Sequence, residues 1–254
     1  MKLKGKNAIV TGAGSGMGLA MANLFSSEGA KLILGDWNQQ RLDKVVSDIK
    51  AKGGEAIGIH GNIADKAIAE SLVEKSIEAY GKLDILCNNA GIMDYMQGID
   101  EVTDEIWNKV LEINLFGPMY ATRKAVPFMK KNKGGSIINT VSTAGLHGGA
   151  AGVAYTTSKH GLIGLTRNTA WFYAKEGIRC NAICPGGTAT NIADTMPKDK
   201  LSAFGSQRAG VFGGIIPAFL QPLDIANLAL FLASDDSKNI NGAIINADAG
   251  WGAA

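Results

Sequence analysis

Thr11-Gly12-Ala13-Gly14-Ser15-Gly16-Met17-Gly18 places four glycines in eight residues, directly behind the apolar run Ala8-Ile9-Val10. Glycine loses more backbone entropy on folding than any other residue, so this density marks a place where side chains have no room. The run before it reads as a strand and the segment from Met17 as a helix. A strand that turns through glycines into a helix aims unpaired N–H groups at one point, where the helix dipole adds positive charge. Such a point suits a pyrophosphate. The common spacing G-x-G-x-x-G is not met, because Met17 stands where its third glycine would follow Gly12 and Gly14. The spacing present is T-G-x-x-x-G-x-G, through Gly12, Gly16 and Gly18, and no Gly-Lys-Ser/Thr closes it as a phosphate loop would require. A purely structural turn is the alternative for this stretch alone.

Outward from the turn, short β-branched runs alternate with longer segments of helical period. The strands expected are 7–11, 31–36, 55–60, 83–88, 135–141, 178–184 and 243–246. Helices are expected at 17–27, 38–50, 66–80, 104–130, 152–175 and 222–233. This order predicts an α/β fold: a single-domain, Rossmann-like, doubly wound parallel sheet of about seven strands with helices on both faces. The domain spans residues 1–254. From Gly186 to Gln221 no strand pattern is visible, and so long an irregular stretch after a strand's C-terminal end predicts a lid over a ligand.

Asp36 closes the second strand, 18 positions after Gly18. A carboxylate there accepts both hydroxyls of an adenosine ribose and repels a 2′-phosphate. Neither Ser15 nor Trp37-Asn38 supplies a cation to offset that repulsion, so NAD (NADH) is expected over NADP. The alternative for Asp36 is a strand-end or helix-capping role. Further along, Tyr155-Thr156-Thr157-Ser158-Lys159 sets a phenol and an ammonium four apart on one helix face. Free tyrosine titrates near 10, too high for proton transfer at neutral pH, and a neighbouring cation lowers that value. Ser142 follows the fifth strand and lies within a short loop of the tyrosine helix, where its hydroxyl can meet a substrate oxygen.

Thr11 to Gly18, Asp36, Asn88-Asn89-Ala90-Gly91, Asn114, Ser142, Tyr155-x-x-x-Lys159 and Pro185-Gly186-Gly187-Thr188-Ala189-Thr190 occur together in order. In these features the chain resembles the short-chain dehydrogenase/reductase family over nearly its whole length. The resemblance implies that Tyr155 is the general acid/base, that Ser142 orients the substrate oxygen, and that Lys159 lowers the tyrosine pKa and binds the nicotinamide ribose. It also implies that Asn114 kinks its helix and completes a proton relay. Gly12, Ser15, Gly16, Met17 and Gly18 would bind the cofactor with Asp36, Trp37, Asn62, Ile63, Asn89, Ala90 and Gly91. Pro185, Gly186, Thr188 and Thr190 would clasp its nicotinamide end. The family often has Asp where this chain has Asn62, and the tail Asp248-Ala249-Gly250-Trp251 keeps only part of the family's glycine-rich ending.

Met93, Tyr95, Met96, His147, Phe204, Val211, Phe212, Ile215 and Ile216 are candidates for a largely apolar substrate wall, with Arg208 the one lid arginine. Lid apolars serve equally as subunit contacts, and a homotetramer is what the resemblance implies. The expected reaction is NAD-dependent interconversion of a secondary alcohol and a ketone. Two alternatives are a reductase of acyl-carrier-linked ketones, which calls for NADPH and a basic entrance, and a non-catalytic NAD-binding sensor or scaffold.

Composition narrows the classes. Net charge is +2 with 46% hydrophobic and 19% charged residues, which suits a packed globular protein and offers no basic patch for nucleic acid. Lys130-Lys131-Asn132-Lys133 reads as a solvated helix end. Met1 to Lys6 lacks the apolar core of a signal peptide, no run reaches membrane-spanning length, and Cys87, Cys180 and Cys184 lie in strand-like apolar contexts. A soluble, cytoplasmic protein with reduced thiols and no metal site is expected.

Overall fold

The structure, a computed structural model, describes residues 1–253. Seven strands form one parallel sheet: β1 (Asn7–Thr11), β2 (Lys31–Asp36), β3 (Ala56–His60), β4 (Ile85–Asn88), β5 (Gly135–Thr140), β6 (Ile178–Pro185) and β7 (Ile244–Ala247). Their order is β3-β2-β1-β4-β5-β6-β7. The helices are α1 (Gly16–Ser27), α2 (Gln39–Ala51), α3 (Lys66–Tyr80), α4 (Asp104–Leu111), α5 (Gly117–Lys131), α6 (Val153–Tyr173), α7 (Ala203–Gly213) and α8 (Pro222–Ala233). β1 pairs with β2 on one side and β4 on the other, so the winding reverses there. Connections leave this point in opposite directions and open a crevice above the strand ends, the usual ligand position in such sheets.

The sheet is buried on both faces, which explains why its strands read as unbroken apolar runs. Successive residues point to opposite sides. Ala8, Val10, Leu32 and Leu34 pack with Met21 and Phe25 of α1 and with Leu232 of α8. Ile9 and Ile33 pack instead with Leu72 and Val73 of α3 and Met129 of α5. Each fully buried side chain of this size contributes about 1.5–3 kcal/mol relative to exposure.

Two expectations need correction. The helix expected over 104–130 is interrupted by a π-helical turn, Glu112–Phe116. Asn114 sits at its centre, fully buried, with its side chain drawn to the main chain of Ile92. The wide turn accommodates the extra residue that this inward reach demands. The segment 186–221 is also not irregular throughout. It contains short 3₁₀ turns at Asn191–Thr195 and Lys198–Lys200 and the 11-residue helix α7. The glycines at 205, 210 and 213 hide that helix in the sequence. Gly205 is demanded by packing, since a Cβ there would run into the carbonyl oxygen of Met96. Ser202 caps the helix by accepting the Gly205 N–H at 2.8 Å. No helix is long and apolar enough to cross a membrane among the described residues.

Candidate active site

The glycine turn carries β1 into α1. Gly12 and Gly16 have φ of +65° and +52°, values that disfavour any side chain. A Cβ on Gly12 would lie 2.9 Å from the Ala90 Cα, and one on Gly14 would lie 2.9 Å from the Asp36 carboxylate. One on Gly18 would strike the Gly12 carbonyl oxygen. Much of the glycine content therefore serves the turn's own packing. What remains for a ligand is the start of α1, whose capping residue Ser15 makes no side-chain bond to it and whose first turn holds no acid. Free N–H groups and dipole point into a cavity of about 630 Å³.

That cavity runs along the crevice. Its walls include Gly12, Ser15, Gly16 and Met17, then Asp36 and Trp37, Asn62 and Ile63, and Asn89, Ala90 and Gly91, with Thr190 from the lid. Asp36 is buried and accepts the Gly14 N–H at 2.8 Å and the Asn38 N–H at 2.9 Å. Asn62 Oδ1 accepts the Ala64 N–H. The Asn89 and Ala90 main chain is strapped to β1, both N–H groups donating to Thr11 Oγ1. An adenosine diphosphate moiety fits this donor set: an uncapped helix start for the phosphates, and a carboxylate with spare lone pairs for ribose hydroxyls.

At the other end, Gly91 joins the cavity to the buried polar cluster. A Cβ at Gly91 would sit 3.2 Å from Asn114 Oδ1 and 3.5 Å from Lys159 Nζ. Asn114 accepts the Ile92 N–H and donates to the Ile92 carbonyl and Ser158 Oγ, a two-way clamp at 2.9, 2.9 and 3.2 Å. Lys159 Nζ donates to the Thr140 carbonyl at 2.9 Å and lies 5.4 Å from the centre of the Tyr155 ring. Burial pulls the Lys159 ammonium down to about 8. Burial also pushes the Tyr155 phenol up to about 12, with Ser142 beside it working downward and the Asp94 charge upward. Desolvation is the largest influence on the phenol, and Lys159 is not among the groups that shift it in this cleft. Ser142 caps the turn after β5, its Oγ accepting the Ala144 N–H at 3.1 Å.

A statistical model of the short chain dehydrogenases matches residues 6–201 of the sequence. The chain belongs to the short-chain dehydrogenase family. The 3beta-hydroxysteroid dehydrogenase 2 of Eggerthella lenta is 38% identical over 99% of this chain and 96% of its own length. The crystal structure of levodione reductase superposes with a TM-score of 0.90 at 32% identity, covering 99% of each chain. A protein from Beutenbergia cavernae suggested to be an NAD(P)-dependent gluconate 5-dehydrogenase, solved with NADP at low occupancy, gives 0.88 at 32% identity over 100% of this chain and 99% of that one.

In this short-chain dehydrogenase the expected residues fall into three groups. Gly12, Ser15, Gly16 and Met17 of the glycine turn, Asp36, Trp37, Asn62, Ile63, Asn89 to Gly91, Thr190, Met93 and Tyr95 line the cavity, whereas Gly18 packs against the Gly12 carbonyl. Pro185, Gly186 and Thr188 do not line it; they lie at and just after the end of β6, where Thr143 Oγ1 donates to the Pro185 carbonyl and Gly186 packs closely on Asp248. The lid's apolar residues divide. Phe212 stacks between His147 at 5.4 Å and Trp251 at 4.6 Å, and Trp251 Nε1 donates to the Phe212 carbonyl. His147 is accordingly half-buried, and Ile216 packs near Gly187. Phe204 is 62% exposed, and Val211, Ile215 and Arg208 also face outward, because α7 turns its Ser202 and Gly205 side to the loop around residues 95–96.

Several site residues escaped the sequence reading. Arg41 lines the cavity beside Asp36, brought back by the first turn of α2, where Asn38 Oδ1 accepts its N–H. The absence of a nearby cation, inferred from Ser15 and Trp37-Asn38, is thereby corrected. Ile192, Thr195 and Lys109 also line the wall. Asp94 was missed as well. It is 1% exposed, and its carboxylate accepts the N–H groups of Met96, Gly152 and Tyr155 at 3.1, 3.2 and 2.9 Å. A lone Asp in a loop gives no signal of such a role; its two partners at the start of α6 lie 58 and 61 residues away in sequence. The three cysteines are buried free thiols, and burial raises Cys180 to about 12 and Cys184 to about 11.

Proposed function

We propose that the protein is an NAD(H)-dependent oxidoreductase interconverting a secondary alcohol and a ketone, with Tyr155 as the proton donor and acceptor. The observation that carries this reading is the convergence of Tyr155, Ser142, Lys159 and Asn114 at the Gly91 end of the cavity. A pure nucleotide binder has no need of a buried ammonium beside a buried phenol, both of which cost desolvation energy. When bound, the nicotinamide supplies or accepts the hydride. Ser142 holds the substrate oxygen and Tyr155 Oη passes its proton. Lys159 keeps positive charge beneath the phenol and reaches the nicotinamide ribose, while Asn114 fixes the main chain of Ile92 behind it.

Asp36 supports NAD over NADP, although Arg41 in the same wall offsets part of the repulsion toward a 2′-phosphate. Met93, Tyr95 and Ile192 in the cavity wall favour a bulky, largely apolar substrate, a chemistry shared with the steroid acted on by the Eggerthella relative, and we assign the His147–Phe212–Trp251 stack, outside the cavity wall itself, to the outer end of the same substrate. The reading is of one catalytic domain in the cytoplasm. Trp171 and Phe172, 82% and 67% exposed at the end of α6, support assembly into a homotetramer. The test is a panel of diols, hydroxyketones, cyclic alcohols and polycyclic ketones, followed by nicotinamide absorbance with NAD(H) and NADP(H). Turnover with NAD(H) on a bulky alcohol or ketone is expected. Binding without turnover across the panel would leave a sensor, and a strong NADPH preference would overturn the Asp36 argument.

A further inference from the structure

The loop from Ile92 to Glu101 lies between the catalytic helix and the lid and makes polar contacts with both. On one side Asp94, buried, accepts the N–H groups of Gly152 and Tyr155 at the start of α6, and these bonds favour its carboxylate form against the upward push of burial. Those groups belong to a first turn that carries no side-chain cap of its own, since its capping residue is Gly152. A carboxylate from a distant loop thus does the work that an N-cap side chain does elsewhere, with the helix dipole in its favour. On the other side the Ser202 N–H donates to the Tyr95 carbonyl at 3.0 Å, and Ser202 Oγ donates to Glu101 at 2.6 Å. Met93 N–H donates to Thr195 Oγ1 at 3.1 Å.

We propose that Asp94 is a positioning residue for the proton step, setting Tyr155 relative to the loop on which the lid is seated. The main-chain bond to Tyr155 itself is the shortest of its three. A shift of the first turn of α6 moves the phenol directly, whereas Lys159, one turn further on, is held independently by Thr140. Asp94 also acts through charge. The charged and polar groups facing the phenol are Asp94 from the loop, Ser142 from the turn after β5 and Lys159 from α6 itself, with Cys184 of β6 and Asp248 beyond Lys159. Of the groups acting on the phenol, Asp94 is the one anion, and it favours the protonated form.

This inference rests on Tyr155 as the acid/base, and two variants test it. Asp94→Asn keeps the size and removes the charge. Gly152→Ala keeps the charge but places a Cβ 2.6 Å from both carboxylate oxygens, at a φ of −73° that alanine accepts. Both variants are expected to lower kcat about tenfold or more through misplacement of the phenol, with NADH affinity within about twofold of the parent. In Asp94→Asn the pH limb of kcat assigned to Tyr155 moves to lower pH, in either reaction direction, because an anion has left. In Gly152→Ala it shows no such fall. A parental kcat in either folded variant, or loss of NADH binding in step with kcat, overturns the proposal. If Asp94→Asn fails to fold, Gly152→Ala decides alone. Tyr155→Phe measured alongside separates the two levels: turnover in that variant sinks the acid/base assignment, whereas its inactivity with parental kcat in both positioning variants sinks only the role of Asp94.

Discussion

Removing the charge of Asp36 is the perturbation that isolates cofactor choice. The carboxylate is buried and tied to the Gly14 and Asn38 N–H groups at 2.8 and 2.9 Å, so it is fixed in the wall where a 2′-phosphate would come. Two unit charges about 4 Å apart at an effective dielectric near 20 repel by about 4 kcal/mol. Arg41 in the same wall and the two N–H donors take back part of this, leaving roughly 2–3 kcal/mol, or about 100-fold in preference. Asp36→Asn retains one acceptor and sets an amide N–H against the second donor, which costs about 1–3 kcal/mol of stability. The ratio of kcat/KM for NADPH to that for NADH cancels this common loss. That ratio is expected to rise about 100-fold in Asp36→Asn and to fall back in the Asp36→Asn, Arg41→Ala double variant. A ratio within about threefold of the parent would refute the electrostatic reasoning.

Further expectations concern other parts of the cleft. Lys159→Met should abolish turnover and alter the pH dependence of stability. Burial lowers the Lys159 pKa to about 8 in the folded chain, so between there and the unfolded value of about 10.4 the unfolded state binds more protons. Parental stability should therefore gain on that of Lys159→Met as pH rises through this window, in denaturant titrations at the two ends, and an unchanged difference would contradict the assignment. Asn114→Ala unpairs both main-chain groups of Ile92 and should cost about 2–4 kcal/mol by denaturant titration. Trp251→Ala removes the far side of the Phe212 stack and should raise KM for bulky substrates more than for small ones, with little change in NADH affinity. The three buried thiols should resist a thiol reagent at neutral pH until the chain unfolds; rapid labelling of the native protein would show the packing to be wrong.

The sheet was legible because burial on both faces writes continuous apolar runs, and four strand and helix ranges (7–11, 31–36, 66–80 and 222–233) coincide with the sequence reading. The π turn at Glu112–Phe116 was foreshadowed only by the kink that the resemblance implies at Asn114 and by nothing local, since the pull on Asn114 comes from Ile92, a contact across 22 positions. The helix in the lid was hidden by its three glycines, of which Gly205 answers to packing on Met96 rather than to local propensity. Cavity-lining Gly12, Asp36 and Gly91 carry their chemistry in residue type and spacing, and so were visible. Arg41 and Asp94 carry theirs only through where the chain returns, and nothing local announces them. The glycine turn itself reads differently with the fold in hand, because its glycines are needed first by Ala90, Asp36 and the Gly12 carbonyl.

The measurement that bears most directly on the proposed chemistry is kcat of Tyr155→Phe at saturating NADH, made beside its NADH dissociation constant. The phenol is buried and its ring is packed by Ile106, Val110 and Ala144, so the lost hydroxyl leaves the packing in place. Turnover is expected to fall to background while NADH affinity stays within about twofold of the parent. Turnover near the parental rate would contradict the assignment of Tyr155 and, with it, the proposed mechanism.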